Sequence, residues 1–427
     1  MSKGDLLIIT DLGHASPRIP GIFSEVARLG WNVDLICPRI SSRQKKLFLS
    51  GIDFPINFKI HYTGLYFSDY KLVTGNNLIK RLLRLFFRQF MRFRRIQISS
   101  KRTVFHSRDR RTGVENHRYW VPRVCEKAQK IYTRKPQSRV SPTIVLSSSS
   151  PFSAHIAASI VSTKFELPWI ADYRDLWALN HSNLGMPDEK VIEFEKDVIA
   201  SASVLTTVSN QLRIQQSSLF AGPINVIHNG FVVRPDRKQT EFKHPLVIVY
   251  TGSLYEKFMN LNLFLSTLDR FQGNSENPDF KVIFAGSISD EITKYYLNKH
   301  LKVPKYIEIL GELPRGEIYQ LQRAADIGLV LGWEDATFQG SFPTKFFEYL
   351  GANLHVLFSG GHPGDECANQ IIQSDLGSVA HNSDALFEFF SSVTNNPADL
   401  KRNSSSSSQF SYSELAAKFD KLLSELK

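Results

Sequence analysis

Cysteine is scarce in this chain of 427 residues: Cys37, Cys125 and Cys367 are odd in number, far apart, and form no Cys-x-x-Cys pair. That excludes a disulfide framework and a thiolate zinc site, and it suits a reducing cytosol. No apolar run approaches the roughly 20 residues that a membrane-spanning helix needs. The amino terminus, MSKGDLLIITDLGH, has only Leu6–Ile9 as an apolar stretch before Asp11, which reads as a first strand and not as a signal peptide. The dinucleotide fingerprint is missing too: after Gly13 the next glycine is Gly21, so an NAD site is not expected. No cluster of histidine, aspartate and cysteine has metal-ligand spacing, so a metal site is not expected.

Charge is present, but locally. The formal net charge is +11, and Lys80–Arg111 holds twelve basic residues against one acid, Asp109. The remainder is neutral, so the basicity needs a local explanation. On a helical wheel of 79–95, Ile79, Leu82, Leu83, Phe86, Phe90 and Phe93 share one face, with Arg81, Arg84, Arg88, Arg92 and Arg95 opposite. Such a helix suits the interface of an anionic membrane, with Arg84, Arg88 and Arg92 toward the headgroups and Phe86 and Phe90 as anchors. The expected location is therefore cytoplasmic, peripheral on the inner face of the cell membrane. A helix packed on its own domain with a solvated basic face is the plainer alternative. A nucleic-acid arm lacks any accompanying recognition motif.

Hydrophobic residues make up 42% of the chain, ample for packed cores, and the length exceeds one ordinary core. Short β-branched runs alternate with helical patterns in two series. The first places strands at 6–10, 33–37, 143–147, 169–173 and 204–208. The second places them at 225–228, 246–251, 281–285, 307–310, 327–331, 356–358 and 378–380. Many are apolar on both faces, as parallel strands under helices are. The fold class expected is α/β, with two Rossmann-like doubly wound parallel-sheet domains facing a cleft. Residues 1–222 form the first, carrying the basic helical segment 78–111, and 223–403 the second. Residues 409–427 form a closing helix that returns to the first domain. Ser404–Ser408 reads as a flexible connector. Between 47 and 139 little strand periodicity is visible.

Several phrases, in order, resemble the retaining nucleotide-sugar glycosyltransferases of the GT-B fold, family 4, particularly bacterial surface-polysaccharide enzymes. They are GHASPRIPGIFSEVARLGWNVDLICP, SSSSPFSAHIAASI followed by LPWIADYRDLW, and VSN…VIHNGF. VYTGSLY, GELPRGEIYQLQRAADIGLVL and PTKFFEYLGANLHVLFSGG follow. The resemblance implies transfer of a sugar from a UDP- or GDP-type donor, held mainly by the second domain. The acceptor implied is a hydroxyl of a saccharide or lipid-linked saccharide, and the nucleotide-sugar is a co-substrate with no further cofactor.

PTKFFEYLGA is the sharpest motif. Pro343 fits a first helical turn, Gly351 a helix stop, and Phe346, Phe347 and Leu350 a buried side. Lys345 and Glu348, three apart, are neighbours on one face. In the resembling family the glutamate matching Glu348 accepts from both ribose hydroxyls, which a carboxylate's two oxygens suit. VYTGSLYEK ends a buried strand in a glycine turn. The family usually has a basic residue soon after that glycine and a lysine a few positions on, both on the diphosphate. Here Ser253 replaces the first, and Lys257 matches the second. FAGS offers a close backbone approach at Gly286. Family members also commonly carry a second glutamate eight positions before the first, where this chain has Gly340.

In the first domain, ADYRDLW sets Asp172, Arg174 and Asp175 at a strand's C-terminal end, where cleft residues belong. The resemblance aligns Arg174 with a catalytic-site histidine. Guanidinium stays protonated, so Arg174 is expected to steady the departing phosphate or the donor sugar, or else to pin the loop. In DLGHASPRIPG, Gly13 admits close approach and Arg18 and His14 are within reach of a phosphate. In SSSSPFSAHIAA, Ser153 is placed to cap a helix and His155 reads as structural or cleft-lining. Two other readings stay open: a degenerate transferase fold that binds membrane or partners, and a nucleotide-sugar epimerase on the same fold.

Overall fold

The computed structural model describes residues 2–12, 17–42, 44–45, 49, 52–66, 117–133, 143–180, 189–232, 242, 244–254, 259–273, 279–299, 301–334, 340, 342–400 and 404–427. The basic segment 78–111, with Arg84, Arg88, Arg92, Phe86 and Phe90, lies outside them, as do Gly13 and Lys257.

Two sheets organise the described residues. The first holds β1 (Gly4–Ile9), β2 (Trp31–Arg39), β3 (Phe58–Tyr66), β4 (Thr143–Ser149), β5 (Trp169–Tyr173), β6 (Val204–Thr207) and β7 (Ile224–Val226). The second holds β8 (Leu246–Thr251), β9 (Phe280–Ala285), β10 (Ile307–Gly311), β11 (Ile327–Gly332), β12 (His355–Gly360) and β13 (Gly377–Ala380). Their orders are β3-β2-β1-β4-β5-β6-β7 and β10-β9-β8-β11-β12-β13, and the pairings within them are parallel. Strand order reverses between β1 and β4 and between β8 and β11. At such points a doubly wound sheet opens a crevice above its strands' C-terminal ends.

Local sequence explains why these strands are central. Leu6 and Ile8 point into one core with α1 (Arg18–Arg28), while Leu7 and Ile9 point into another with α2 (His117–Thr133) and α3 (Ser153–Phe165). A strand apolar on both faces is stable only when helices cover both. The first domain also holds α4 (Glu189–Ile199) and α5 (Asn210–Gln216). The second domain adds α6 (Leu261–Gln272), α7 (Ser289–Asn298), α8 (Arg315–Ala324), α9 (Thr344–Gly351), α10 (Glu366–Gln373) and α11 (Ser383–Asn395). After a helical turn, α12 (Ser404–Ser407), the chain ends in α13 (Tyr412–Glu425). This last helix lies on the first domain. Leu415, Phe419 and Leu423 are buried with Leu6, Ile8 and Phe23, and the Phe23 and Phe419 rings stand 4.8 Å apart. The Trp31 indole N–H donates to Asp420 at 2.8 Å. Burying a phenylalanine of this kind contributes on the order of 1.5–3 kcal/mol.

The structure corrects four local expectations. The strand expected to open the second series closes the first sheet instead, because Ile224–Val226 pairs with β6. Ser404–Ser408 is not a loose connector: it folds into α12 and a 3₁₀ turn, anchored by buried Phe410. Ser153 does not cap α3, since Phe152 holds the N-cap position and Ser153 is already helical. The stretch read as poor in strand pattern contains β3, an edge strand whose exposed Lys59 and partly covered Ile60 and Tyr62 dilute the apolar signal.

Candidate active site

The C-terminal ends of β8, β9 and β10 form a ledge of backbone. Gly252 and Gly286 have φ of +107° and +125°, a region that favours glycine. A Cβ on Gly286 would stand 2.1 Å from the Gly252 carbonyl oxygen, so the two turns nest without room for any side chain there. The Gly252 N–H donates to the Ala285 carbonyl at 2.8 Å and the Gly286 N–H to the Gly311 carbonyl at 2.6 Å. Ser253, on the exposed lip, accepts from Ser287 at 2.9 Å, and its carbonyl accepts from the Tyr250 hydroxyl at 2.8 Å.

Helix α9 is fastened over this ledge. Phe346, Phe347 and Leu350 are buried beneath it, and the Tyr349 hydroxyl accepts from the Thr251 N–H at 3.0 Å. The opposite face of the helix then presents Lys345 and Glu348. One Glu348 oxygen accepts from Arg315 at 3.2 Å and the other from the Gln322 amide at 3.1 Å, both on α8. Gln322 also donates to the Thr251 hydroxyl at 3.1 Å. The Glu348 side chain is 18% exposed and lines a recess with Arg315, Tyr319, Phe231 and Tyr412. Lys345 does not pair with its neighbour. Its ammonium lies 3.5 Å from the Tyr250 ring centroid and beside the open face of Gly252. Burial pushes its pKa down to about 7, against the opposing pull of Glu348.

The first domain uses its charges differently. Arg18 is 1% exposed. It donates to both Asp172 oxygens, at 2.8 and 3.4 Å, and to the His228 carbonyl. Asp172 is wholly buried and also accepts from Ser148 at 2.7 Å and Thr206 at 2.8 Å. Burial works to raise its pKa, but Arg18 and these hydroxyls outweigh that and hold it low. The expectations that Arg18 reaches a donor phosphate and that Asp172 is catalytic yield to this geometry, because both side chains are consumed in the core. Arg174 donates to the Ser149 and Ser150 carbonyls at 2.5 and 2.6 Å, pinning the serine-rich loop at the cleft edge. Asp175 is exposed. His155 is wholly buried, stacked on Tyr173 at 4.5 Å, with Nδ1 2.7 Å from the Ser147 hydroxyl. Among the described residues no group of three or more His, Cys, Asp or Glu stands ready for a metal ion, and no helix is long and apolar enough to cross a membrane.

No protein-family model matches the chain, and no curated protein matches its sequence. Solved structures do. Along 99% of its length the chain superposes on all of Anabaena Alr3699/HepE in complex with UDP and glucose, at TM-score 0.59 and 12% identity. A glycosyltransferase from Rickettsia africae matches 100% of this chain over 99% of its own, at TM-score 0.59 and 12% identity. UDP-GlcNAc 2-epimerase from Methanocaldococcus jannaschii matches over 99% of both chains, at TM-score 0.52 and 12% identity. The fold is GT-B.

In a GT-B protein the two domains meet across the cleft, and here the meeting is close. A Cβ on Gly340 would stand 2.7 Å from Gln211 Cβ and 2.9 Å from the Ser209 hydroxyl. At this position no glutamate fits while the domains are so arranged. Alongside, Glu366 of α10 accepts from the Asn210 and Gln211 N–H groups of α5 at 2.8 and 2.9 Å. Sequence reasoning missed Arg315, Tyr319, Gln322, Tyr250 and Tyr349. One signal was available: Arg315, Tyr319 and Gln322 fall at i, i+4 and i+7, a polar stripe on one helix face just after a strand.

Proposed function

We propose that this protein is a glycosyltransferase that moves a sugar from a UDP- or GDP-type donor to an acceptor hydroxyl. The observation that carries the reading is the joint placement of Glu348 and the Gly252–Gly286 ledge at the switch point of the second sheet. The ledge lets a diphosphate approach backbone closely. Glu348, its oxygens oriented by Arg315 and Gln322, retains lone pairs for a ribose diol. Developing charge on the leaving diphosphate is met by Lys345 and the free amides of the first turn of α9, without a metal. In this reading Arg174 and Asp175 act from the first domain, Ser253 and Lys257, which follow β8 in the sequence, from the second, and Gly13, which follows β1 in the sequence, completes the set. Retention of configuration and a saccharide or lipid-linked acceptor are part of the proposal. So is contact of Arg84, Arg88, Arg92, Phe86 and Phe90 with anionic lipid, which vesicle flotation reads directly.

Thermal stabilisation by a nucleotide panel tests the donor site, since a ligand bound only by the native state raises its stability. Replacing Glu348 by Ala is expected to weaken the preferred nucleotide ten- to a hundred-fold, roughly 1.5–3 kcal/mol for bonds to a charged group. Transfer is expected to persist in excess EDTA. Wild-type affinity in a folded Glu348→Ala protein removes Glu348 from the site. A second reading, nucleotide-sugar epimerisation, is favoured by the absence of an acid at Gly340 and by the epimerase among the similar structures. It predicts product from the donor alone, with no acceptor added.

A further inference from the structure

Lys345 stands out because its nearest acid is already committed. Glu348, one turn along α9, gives its two oxygens to Arg315 and Gln322, and among the described residues Lys345 forms no ion pair. What it touches is the face of Tyr250, at 3.5 Å, with the ledge of Gly252 and Gly286 beside it. A ring face holds an ammonium weakly compared with a carboxylate. A cation so placed is matched by something that arrives from outside, and the bare backbone next to it admits a compact oxyanion and little else. Ser253 brings no positive charge to the same lip.

We propose that Lys345 is the anion-gripping group of this ledge and works as a proton-gated cation, taking up a proton as a diphosphate binds and releasing one as it leaves. The inference rests on the nucleotide-sugar reading for the identity of the diphosphate, though the anion chemistry stands by itself. Burial places the empty-site pKa near 7, so around pH 8 the amine is mostly neutral. An adjacent dianion restores the charge, lifting the pKa toward its ordinary value. Among the described residues the groups around it are few: Glu348 on its own helix, Tyr250 on β8, Ser253 and Ser287 on the strand-end turns, and Arg315 behind Glu348 on α8. Tyr250 meets it with a ring face and Glu348 is neutralised by Arg315, so the change in Lys345 charge is the response to the anion.

Calorimetric titration of the full chain with UDP, GDP, uridine and inorganic phosphate tests this, run at pH 7.0 and 8.5 in buffers of different ionisation enthalpy. At pH 8.5 a nucleoside diphosphate is expected to bind with uptake of close to one proton, and roughly ten-fold more weakly than at pH 7.0. Uridine is expected to bind with no uptake. Lys345→Arg keeps the charge at both pH values, so diphosphate binding is expected to lose its uptake and its pH dependence. Lys345→Met is expected to lose ten-fold or more for the diphosphate and little for uridine. Diphosphate binding to wild type with no buffer-dependent heat, or with uptake that survives in Lys345→Arg, overturns the proposal. Should phosphate bind with Lys345-dependent uptake while no nucleotide gains over it, the proton-gated cation stands and the nucleotide-sugar reading falls. If no anion binds, both fall.

Discussion

The two domains put charged residues at the same place, the C-terminal ends of their parallel strands, and use them in opposite ways. In the first, Arg18 and Asp172 satisfy each other, with Ser148, Thr206 and the His228 carbonyl completing the set, and neither is exposed. In the second, Glu348 is held by Arg315 and Gln322 yet stays partly open, and Lys345 rests on a ring face with no ion pair among the described residues. The first arrangement is a lock and the second a seat. Position on a doubly wound sheet marks where a ligand can sit. Whether a given charge serves a ligand depends on how completely its own chain has satisfied it.

The largest expected effect breaks the lock. Asp172→Ala leaves the Arg18 guanidinium buried without its counter-charge and strips two hydroxyls of their acceptor. Removing one partner of a buried pair costs roughly 3–5 kcal/mol, a large share of the roughly 5–15 kcal/mol that holds a protein folded. Chemical denaturation is expected to show that loss. A folded Asp172→Ala protein of wild-type stability that has lost only turnover returns Asp172 to the catalytic list.

A smaller effect concerns how the first domain keeps a buried imidazole neutral. The Trp169 indole donates to the Ser147 hydroxyl at 2.8 Å, and that hydroxyl stands 2.7 Å from His155 Nδ1. With Ser147 accepting from Trp169, its proton turns to Nδ1, which fixes the neutral imidazole. Burial pushes the His155 pKa down to about 3, outweighing Asp172, which raises it. The unfolded value is near 6.5. Between pH 3 and 6.5 the unfolded chain therefore binds the extra proton, and stability rises with pH across that window. The contribution is fully present above pH 6.5, and about 2 kcal/mol of it is lost by pH 5 at roughly 1.4 kcal/mol per unit. Melting curves of wild type and His155→Phe from pH 4.5 to 7 check this: the variant is expected to lose that part of the slope.

What the sequence made legible follows the same division. Helix α9 could be read from PTKFFEYLGA because its signals are local: Pro343, expected in the first turn and found at the N-cap one position earlier, buried Phe346 and Phe347, and a helix that ends at Gly351. Doubly wound sheets were legible because runs such as Leu6–Ile9 are apolar on both faces. The lock was not. Arg18 and Asp172 meet across 154 positions of sequence, and nothing in SPRIPG or ADYRDLW distinguishes a charge facing solvent from one facing its partner. Arg315 and Glu348, 33 positions apart, were hidden for the same reason. Strand β7 was assigned to the wrong sheet because a three-residue strand beside Gly222-Pro223 carries no periodicity to say which neighbour it joins. Local propensity reports an element's existence, whereas partner choice is settled by packing that a single sequence does not display.

The smallest expected effect on the fold sharpens the comparison most. Asp175 follows Arg174 on the same loop and is exposed, so of the ADYRDLW charges it is the one the lock leaves outside. Substituting a surface residue away from caps and networks changes stability by about 0.5 kcal/mol or less, and Asp175→Asn is expected to unfold with wild type in denaturant. If Asp175 meets the donor sugar or acceptor during transfer, the same variant loses turnover while uridine and nucleoside diphosphate affinities, assigned by the proposal to the second domain, stay unchanged. A bond to a charged group made at the reacting centre is worth roughly 1.5–3 kcal/mol, ten- to a hundred-fold in rate. Unchanged stability with unchanged transfer makes Asp175 a bystander and leaves Arg174 as the first domain's contribution to the chemistry. Lost stability of 1 kcal/mol or more, beyond the surface range above, shows that the lock extends one residue further than the buried pair, through the electrostatic pull that Asp175 exerts on Arg174.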